Sequence, residues 1–173
     1  MRSRLLAVSE PLLRFPAHVA RERQRLRATA ATLDAVSPLC VREAGEQDEL
    51  RGDTALVAAG DTHLEVVGPR RARSSDAPPI GGLRPRADVT LESAARVYGS
   101  RVLAAVLTGM GNDGEAGARA VRAAGGRTIV EDERSCVVYG MPQAVVRAGL
   151  ADAVVTLDDM ARAITESVAS PAA

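Results

Sequence analysis

Apolar residues recur along this chain in different rhythms, and each rhythm predicts a different element. Val102 to Leu107 is an unbroken apolar run without alternation, the pattern of a strand covered on both faces as in a parallel sheet. Thr128 to Val130 and Val154 to Thr156 are shorter strand candidates. Helical patterning lies between and around them. Asp88 to Val97 carries Val89, Ala94 and Val97, with Asp88 or Thr90 as the cap and Gly99 at the C′ place. Asp113 to Ala124 is Ala-rich and stops at Gly125-Gly126, while Met141 to Ala148 and Leu157 to Val168 complete the series. Strands alternating with helices in this way argue for an α/β fold, a doubly wound and mostly parallel sheet with right-handed crossovers.

Upstream the rhythm is less regular. The first 19 residues, where Pro11 and Pro16 interrupt short apolar clusters, show neither a period of two nor one of 3.6 and read as irregular. Ala20 to about Val36 is rich in helix formers, with Leu26 and Leu33 on one face and Pro38 as a stop. Leu39 to Arg42 is a short extended candidate. Thr54 to Ala59 and His63 to Val67 flank Gly60-Asp61-Thr62, which predicts an inserted β-hairpin. Residues 68–86 collect Gly, Pro, Ser and Arg and read as a loop that lines a cleft.

Composition narrows the classes. A chain of 173 residues suits one domain and can bury roughly 68–70% of the surface its unfolded form exposes. With 2% aromatic residues, the core must be aliphatic. All 22 basic residues are arginine and are balanced by 22 acidic ones, so no net field favours nucleic acid or an anionic membrane. Arginine is in local excess over residues 1–32, which are expected to form a divergent, partly helical segment ahead of a domain spanning residues 33–170. Cys40 and Cys136 form no C-x-x-C pair, and His18 and His63 are too scattered for a zinc site, so neither a metal nor another cofactor is expected. No run approaches the ~20 apolar residues that span a bilayer, and Arg4, Glu10 and Pro11 break the start as a signal core. A cytoplasmic protein without membrane insertion is the expectation.

In an open parallel sheet the strand-to-helix loops converge on a crevice at the carboxyl ends of the strands. The loop Leu107-Thr108-Gly109-Met110-Gly111-Asn112-Asp113-Gly114 leaves an apolar strand and enters a helix there. Its glycines permit close backbone approach, and the helix start offers unpaired N–H groups. Alone, it reads as a tight turn with Asp113 as a helix cap, as a phosphate cradle, or as one arm of a catalytic constellation. It matches neither glycine-rich phosphate fingerprint, and the chain has no lysine to reach a phosphate.

The ordered motifs resemble those of CheB-type protein-glutamate methylesterases. They are Leu107 to Asp113, Ala124-Gly125-Gly126 with Thr128-Ile129, and above all Ser135-Cys136-Val137-Val138-Tyr139-Gly140-Met141-Pro142. Upstream they include Val41-Arg42-Glu43-Ala44, Val57 to Leu64, and Arg84-Pro85 with Asp88-Val89. The resemblance covers about residues 33–168. It implies hydrolysis of glutamate methyl esters on methyl-accepting chemotaxis receptors, with glutamine deamidation as a related reaction, by a Ser-His-Asp mechanism. It assigns the triad acid to Asp113 and an oxyanion-holding N–H to Met110, and makes Arg84 and Asp88 cleft candidates. The family's Gly-x-Ser-Thr-Gly-Gly turn and its Gln-His motif are absent. Ser9 lacks flanking glycines, and His18 falls within a couple of residues of the family's histidine position when counted back from Arg42-Glu43-Ala44. His63 matches a family histidine outside the triad, with a structural or rim role. Cys136 reads as a small packing residue. A truncated or frameshifted start, with no receiver domain ahead of it, is the expected reason for the missing turn. A receptor-binding module without catalysis and a nucleotide-binding α/β domain are the rival functions.

Overall fold

The computed structural model describes residues 5–9, as backbone, and residues 29–169. Its main sheet has the spatial order β1 (Leu5–Ser9), β7 (Val102–Val106), β8 (Arg127–Glu131) and β9 (Ala153–Val155), and every neighbouring pair is parallel. All five residues of β7 are buried, as its continuous apolar run predicts. Helices cover both faces. Val102, Ala104 and Val106 of β7 and Val130 of β8 point to α2 (Ala87–Tyr98), α3 (Glu115–Ala123) and α4 (Met141–Arg147), where they meet Leu91, Ala94, Val121, Ala118 and Val145. Leu103, Ala105 and Ile129 point the other way and pack against Met160 of α5 (Leu157–Ala169). The period-two alternation of strand side chains thus builds two aliphatic layers from one strand, and the doubly wound reading holds.

Gly99 closes α2 at φ +56°, a conformation that a Cβ disfavours. Gly117 lets α3 approach α2: a Cβ there would lie 2.6 Å from Leu91 Cβ and 3.2 Å from Asp88 Cα. This close approach brings together the first turns of the two helices, which carry the site.

Three local expectations need correction or limits. Leu5–Ser9 is a strand where an irregular start was expected, with Leu5 opposite Val102 and Ser9 opposite Val106. Four apolar residues are too few to display a period, and pairing with buried β7 selects the extended form. The antiparallel hairpin exists, but it is β5 (His63–Gly68) with β6 (Arg71–Ser75), joined through Arg70 at φ +61°. The predicted first arm, β4 (Thr54–Val57), instead pairs in parallel with β2 (Cys40–Glu43). A third strand, β3 (Asp48–Glu49), borders β6 on its far side. β6 was hidden because its exposed positions are arginines, whereas Ala72 between them is 2% exposed. A helix, α1, is described over residues 29–36 and ends before Pro38 as predicted; its expected start near Ala20 lies outside the described residues.

Candidate active site

β7 delivers the glycine loop to the carboxyl edge of the sheet, where two partners pin its backbone. Glu131, at the end of β8 and 1% exposed, accepts the Thr108 N–H at 2.7 Å on one oxygen and the Ser135 hydroxyl at 3.0 Å on the other. The segment ahead of α4 supplies the second partner. Gly109 N–H donates to the Val138 carbonyl at 2.8 Å, and the Gly109 carbonyl accepts from Gly140 and Met141 N–H at 2.9 and 2.8 Å. Thr108 Oγ1 accepts the Val138 N–H at 2.8 Å. Only glycine fits at 140, since a Cβ there would stand 2.6 Å from the Gly109 carbonyl oxygen and 2.8 Å from the Gly111 nitrogen. Gly111 and Gly114 adopt φ of +86° and +95°. The loop is therefore fixed on both sides of Met110. The Met110 side chain is exposed, and its N–H meets no acceptor among the described residues.

Asp113 is buried, and its carboxylate is engaged across the interface between helices. Oδ2 accepts the Ala87 N–H at 2.9 Å and Oδ1 the Asp88 N–H at 3.0 Å, so Asp113 caps α2. Asp88 returns the arrangement: its Oδ1 accepts from Gly114 and Gly117 N–H at 2.9 and 2.8 Å and caps α3. Asp88 or Thr90 was expected to cap α2, and Asp113 to cap its own helix; each aspartate instead caps the other helix. Thr90 Oγ1 donates to the Leu64 carbonyl. Between the carboxylates sits Arg86, at 3.0 Å from Asp88 Oδ2 and 3.4 Å from Asp113 Oδ1. Burial pushes the Asp113 carboxyl above the ordinary aspartate range. The Ala87 and Asp88 N–H groups pull it down, the Asp88 charge pushes it up, and Arg86 opposes that rise.

The other sequence candidates separate from this centre. Arg84 pairs with Asp61 at 2.7 Å and donates to the Asp76 and Ala77 carbonyls, clasping the turn before β5 to the loop after β6. No Arg84–Asp88 pair forms, because the guanidinium on Asp88 belongs to Arg86. His63 is buried in the hairpin with Nε2 at 3.3 Å from the Pro78 carbonyl. His18 lies outside the described residues. Ser9 is described as backbone alone, and its place opposite Val106 puts it at the edge from which the glycine loop leaves. Arg86 and Glu131 were missed, since the contacts that tie them to the site, Arg86 with Asp113 and Glu131 with the Thr108 N–H, span more than 20 residues and leave no local signature.

The family model described as CheB methylesterase matches residues 13–164. The chain belongs to the CheB methylesterase family. Over 142 residues it is 44% identical to a protein-glutamate methylesterase/protein-glutamine glutaminase of Symbiobacterium thermophilum, covering 82% of this chain and 39% of that protein. A Pseudomonas aeruginosa protein of the same name is 45% identical over 141 residues, covering 82% of this chain and 38% of that one. The crystal structure of the Thermotoga maritima CheB methylesterase catalytic domain superposes with a TM-score of 0.78 at 33% identity, covering 94% of this chain and 82% of that one. The chain thus spans about two-fifths of the length of the curated relatives it matches. Among the described residues, no helix is long and apolar enough to cross a membrane.

Within this CheB-family site, Cys136 stays a thiol. Partial burial, and then the neighbouring Glu131 carboxylate, push its pKa up to about 11. At neutral pH its thiolate fraction falls roughly 100-fold below that of an ordinary free cysteine. Alkylation by iodoacetamide followed by mass spectrometry should therefore mark exposed Cys40 first. Equal labelling rates for the two would contradict this environment for Cys136.

Proposed function

We propose that this chain is a protein-glutamate methylesterase that hydrolyses glutamate methyl esters, and deamidates glutamines, on chemotaxis receptors in the cytosol. A serine hydroxyl attacks the γ-carbonyl, and a histidine takes its proton. Asp113 accepts a hydrogen bond from the other ring nitrogen, fixing the tautomer and stabilising the imidazolium. Each Asp113 oxygen has lone-pair capacity beyond the N–H bond it already accepts. The tetrahedral oxyanion is held by the Met110 N–H. The proton then passes to the departing methanol, or to ammonia from glutamine, and water cleaves the acyl-enzyme by the same route. His18 is the candidate base, and residues 33–170 are proposed as an incomplete methylesterase domain that residues ahead of 33 must complete.

The observation that carries this reading is the pinned Gly109–Gly111 loop, which leaves one N–H without a described acceptor three residues before a buried carboxylate. A preorganised donor needs no rearrangement as charge develops, and removing one such donor elsewhere costs about 10²–10³ in rate. A receptor-binding module without catalysis is the second reading, favoured by the engagement of both Asp113 oxygens at the start of α2. Methanol release from methylated receptor, measured for the wild type, Ser9→Ala and His18→Ala, separates the two. Turnover by the wild type that His18→Ala abolishes supports the esterase with His18 as base. Receptor binding without methanol release supports the module and overturns the esterase.

A further inference from the structure

We propose that Arg86 is a positioning residue for Asp113: its guanidinium holds the carboxylate ionised and aimed, and so sets the lower pH limit of the site. The proposal rests on the role given to Asp113 above. Arg86 occupies the N-cap position of α2 with β-region backbone and makes no side-chain cap. Arginine is a poor choice there on local grounds. It is outside the preferred capping set, and a cation at a helix N-terminus opposes the macrodipole. A residue placed against local preference needs a compensating contact, and here there are three. Nε is 3.0 Å from Asp88 Oδ2 and 3.4 Å from Asp113 Oδ1, while Nη1 donates to the Ile80 carbonyl at 3.1 Å.

The charge count gives the reason. Asp88 and Asp113, with side chains 7% and 10% exposed, lie in one pocket with Arg86, itself 14% exposed. Two buried carboxylates this close repel, and without a cation one of them takes up a proton. Each carboxylate accepts two backbone N–H bonds, and burial already lifts the Asp113 carboxyl above the ordinary aspartate range, so loss of the Arg86 charge is expected to be read at Asp113. No other cation serves it among the described residues. Residues 107–112 carry no charged side chain, and Glu115 in the first turn of α3 is paired with Arg119 at 3.0 Å. The charges acting on Asp113 are those of Asp88 and Arg86. A protonated Asp113 cannot stabilise an imidazolium, so loss of Arg86 removes activity first at low pH.

The test follows the Asp113 carboxyl carbon by NMR through a pH titration in the wild type, Arg86→Gln and Arg86→Lys, alongside pH profiles of kcat/KM for methanol release. In Arg86→Gln the Asp113 midpoint should rise and kcat/KM at the acid foot should fall about tenfold, the equivalent of one pH unit. Arg86→Lys should recover part of both. A midpoint that stays in place, or that moves at Asp88 alone, overturns the proposal. So does a loss of activity that is uniform in pH and unrelieved by lysine, the signature of a purely structural residue. Should Arg86→Gln fail to fold, the Asp113 midpoint in Arg86→Lys decides: it must lie above the wild-type value, because a point charge replaces the fork. If the wild type hydrolyses nothing at any pH, the esterase reading fails, and the titration still decides the role of Arg86.

Discussion

Asp113→Asn is expected to lower kcat for methanol release by a factor on the order of 10⁴, the loss typical when a triad aspartate becomes an amide that favours the wrong histidine tautomer. The fold should survive. Asparagine keeps one acceptor oxygen for the Ala87 or Asp88 N–H and loses the other, a cost of about 1–2 kcal/mol in cap and hydrogen-bond terms. A loss of activity confined to the few-fold range would remove Asp113 from the chemistry and leave it a cap alone.

The same variant tests the electrostatics. Burial raises the Asp113 carboxyl above its ordinary value, against the pull of the two backbone N–H groups. The native state then binds this proton more tightly than the unfolded chain does, although the group is ionised at neutral pH. Its contribution to stability is fully present below the ordinary aspartate range and is lost as pH rises through the raised native value. Asparagine does not titrate. The melting temperature of the wild type relative to Asp113→Asn should therefore fall as pH rises through that window. A relative melting temperature that climbs with pH would mean that the carboxylate is stabilised in place rather than strained by its burial.

Asp88→Ala should be the most destabilising single change at the site. It strips Gly114 and Gly117 of their buried acceptor and removes the closer carboxylate of Arg86. Breaking a buried pair from one side costs about 3–5 kcal/mol where the remaining charge is left uncompensated; Arg86 keeps Asp113 at 3.4 Å, so the loss should fall toward the lower end of that range. Urea denaturation should show the midpoint shift with little change in slope. Activity should fall too, since Gly114 follows Asp113 directly. A shift below about 1 kcal/mol would indicate that water or another acceptor replaces the lost carboxylate.

What could be read from sequence divides along the range of the interactions. Val102 to Val106 announced itself because burial on both faces leaves no polar position, and Gly99 because a left-handed C′ residue is a local requirement. The glycine loop was legible as a site for the same reason: strand, glycines and helix start are contiguous. The hairpin was misplaced because two β-rich runs flanking Gly60 look alike whether they pair with each other or in separate sheets. The capping pattern was inverted, since Asp113 stands nearer its own helix in sequence and the partner it serves lies 25 residues away. Arg86 and Glu131 looked like ordinary charged residues, and only the folded chain shows Glu131 buried under the glycine loop and Arg86 half-buried between two carboxylates.

The exchanged caps also bear on motion. Unwinding the first turn of α2 would deprive Asp113 of both donors, and unwinding α3 would do the same to Asp88, so neither helix can fray alone without leaving a carboxylate stranded in the interior. Opening of this corner is thereby tied to a larger cooperative unit rather than to the easy breathing usual at helix ends. The acidic group sits on a stretch of loop that is tied at both ends against the fraying of a single helix.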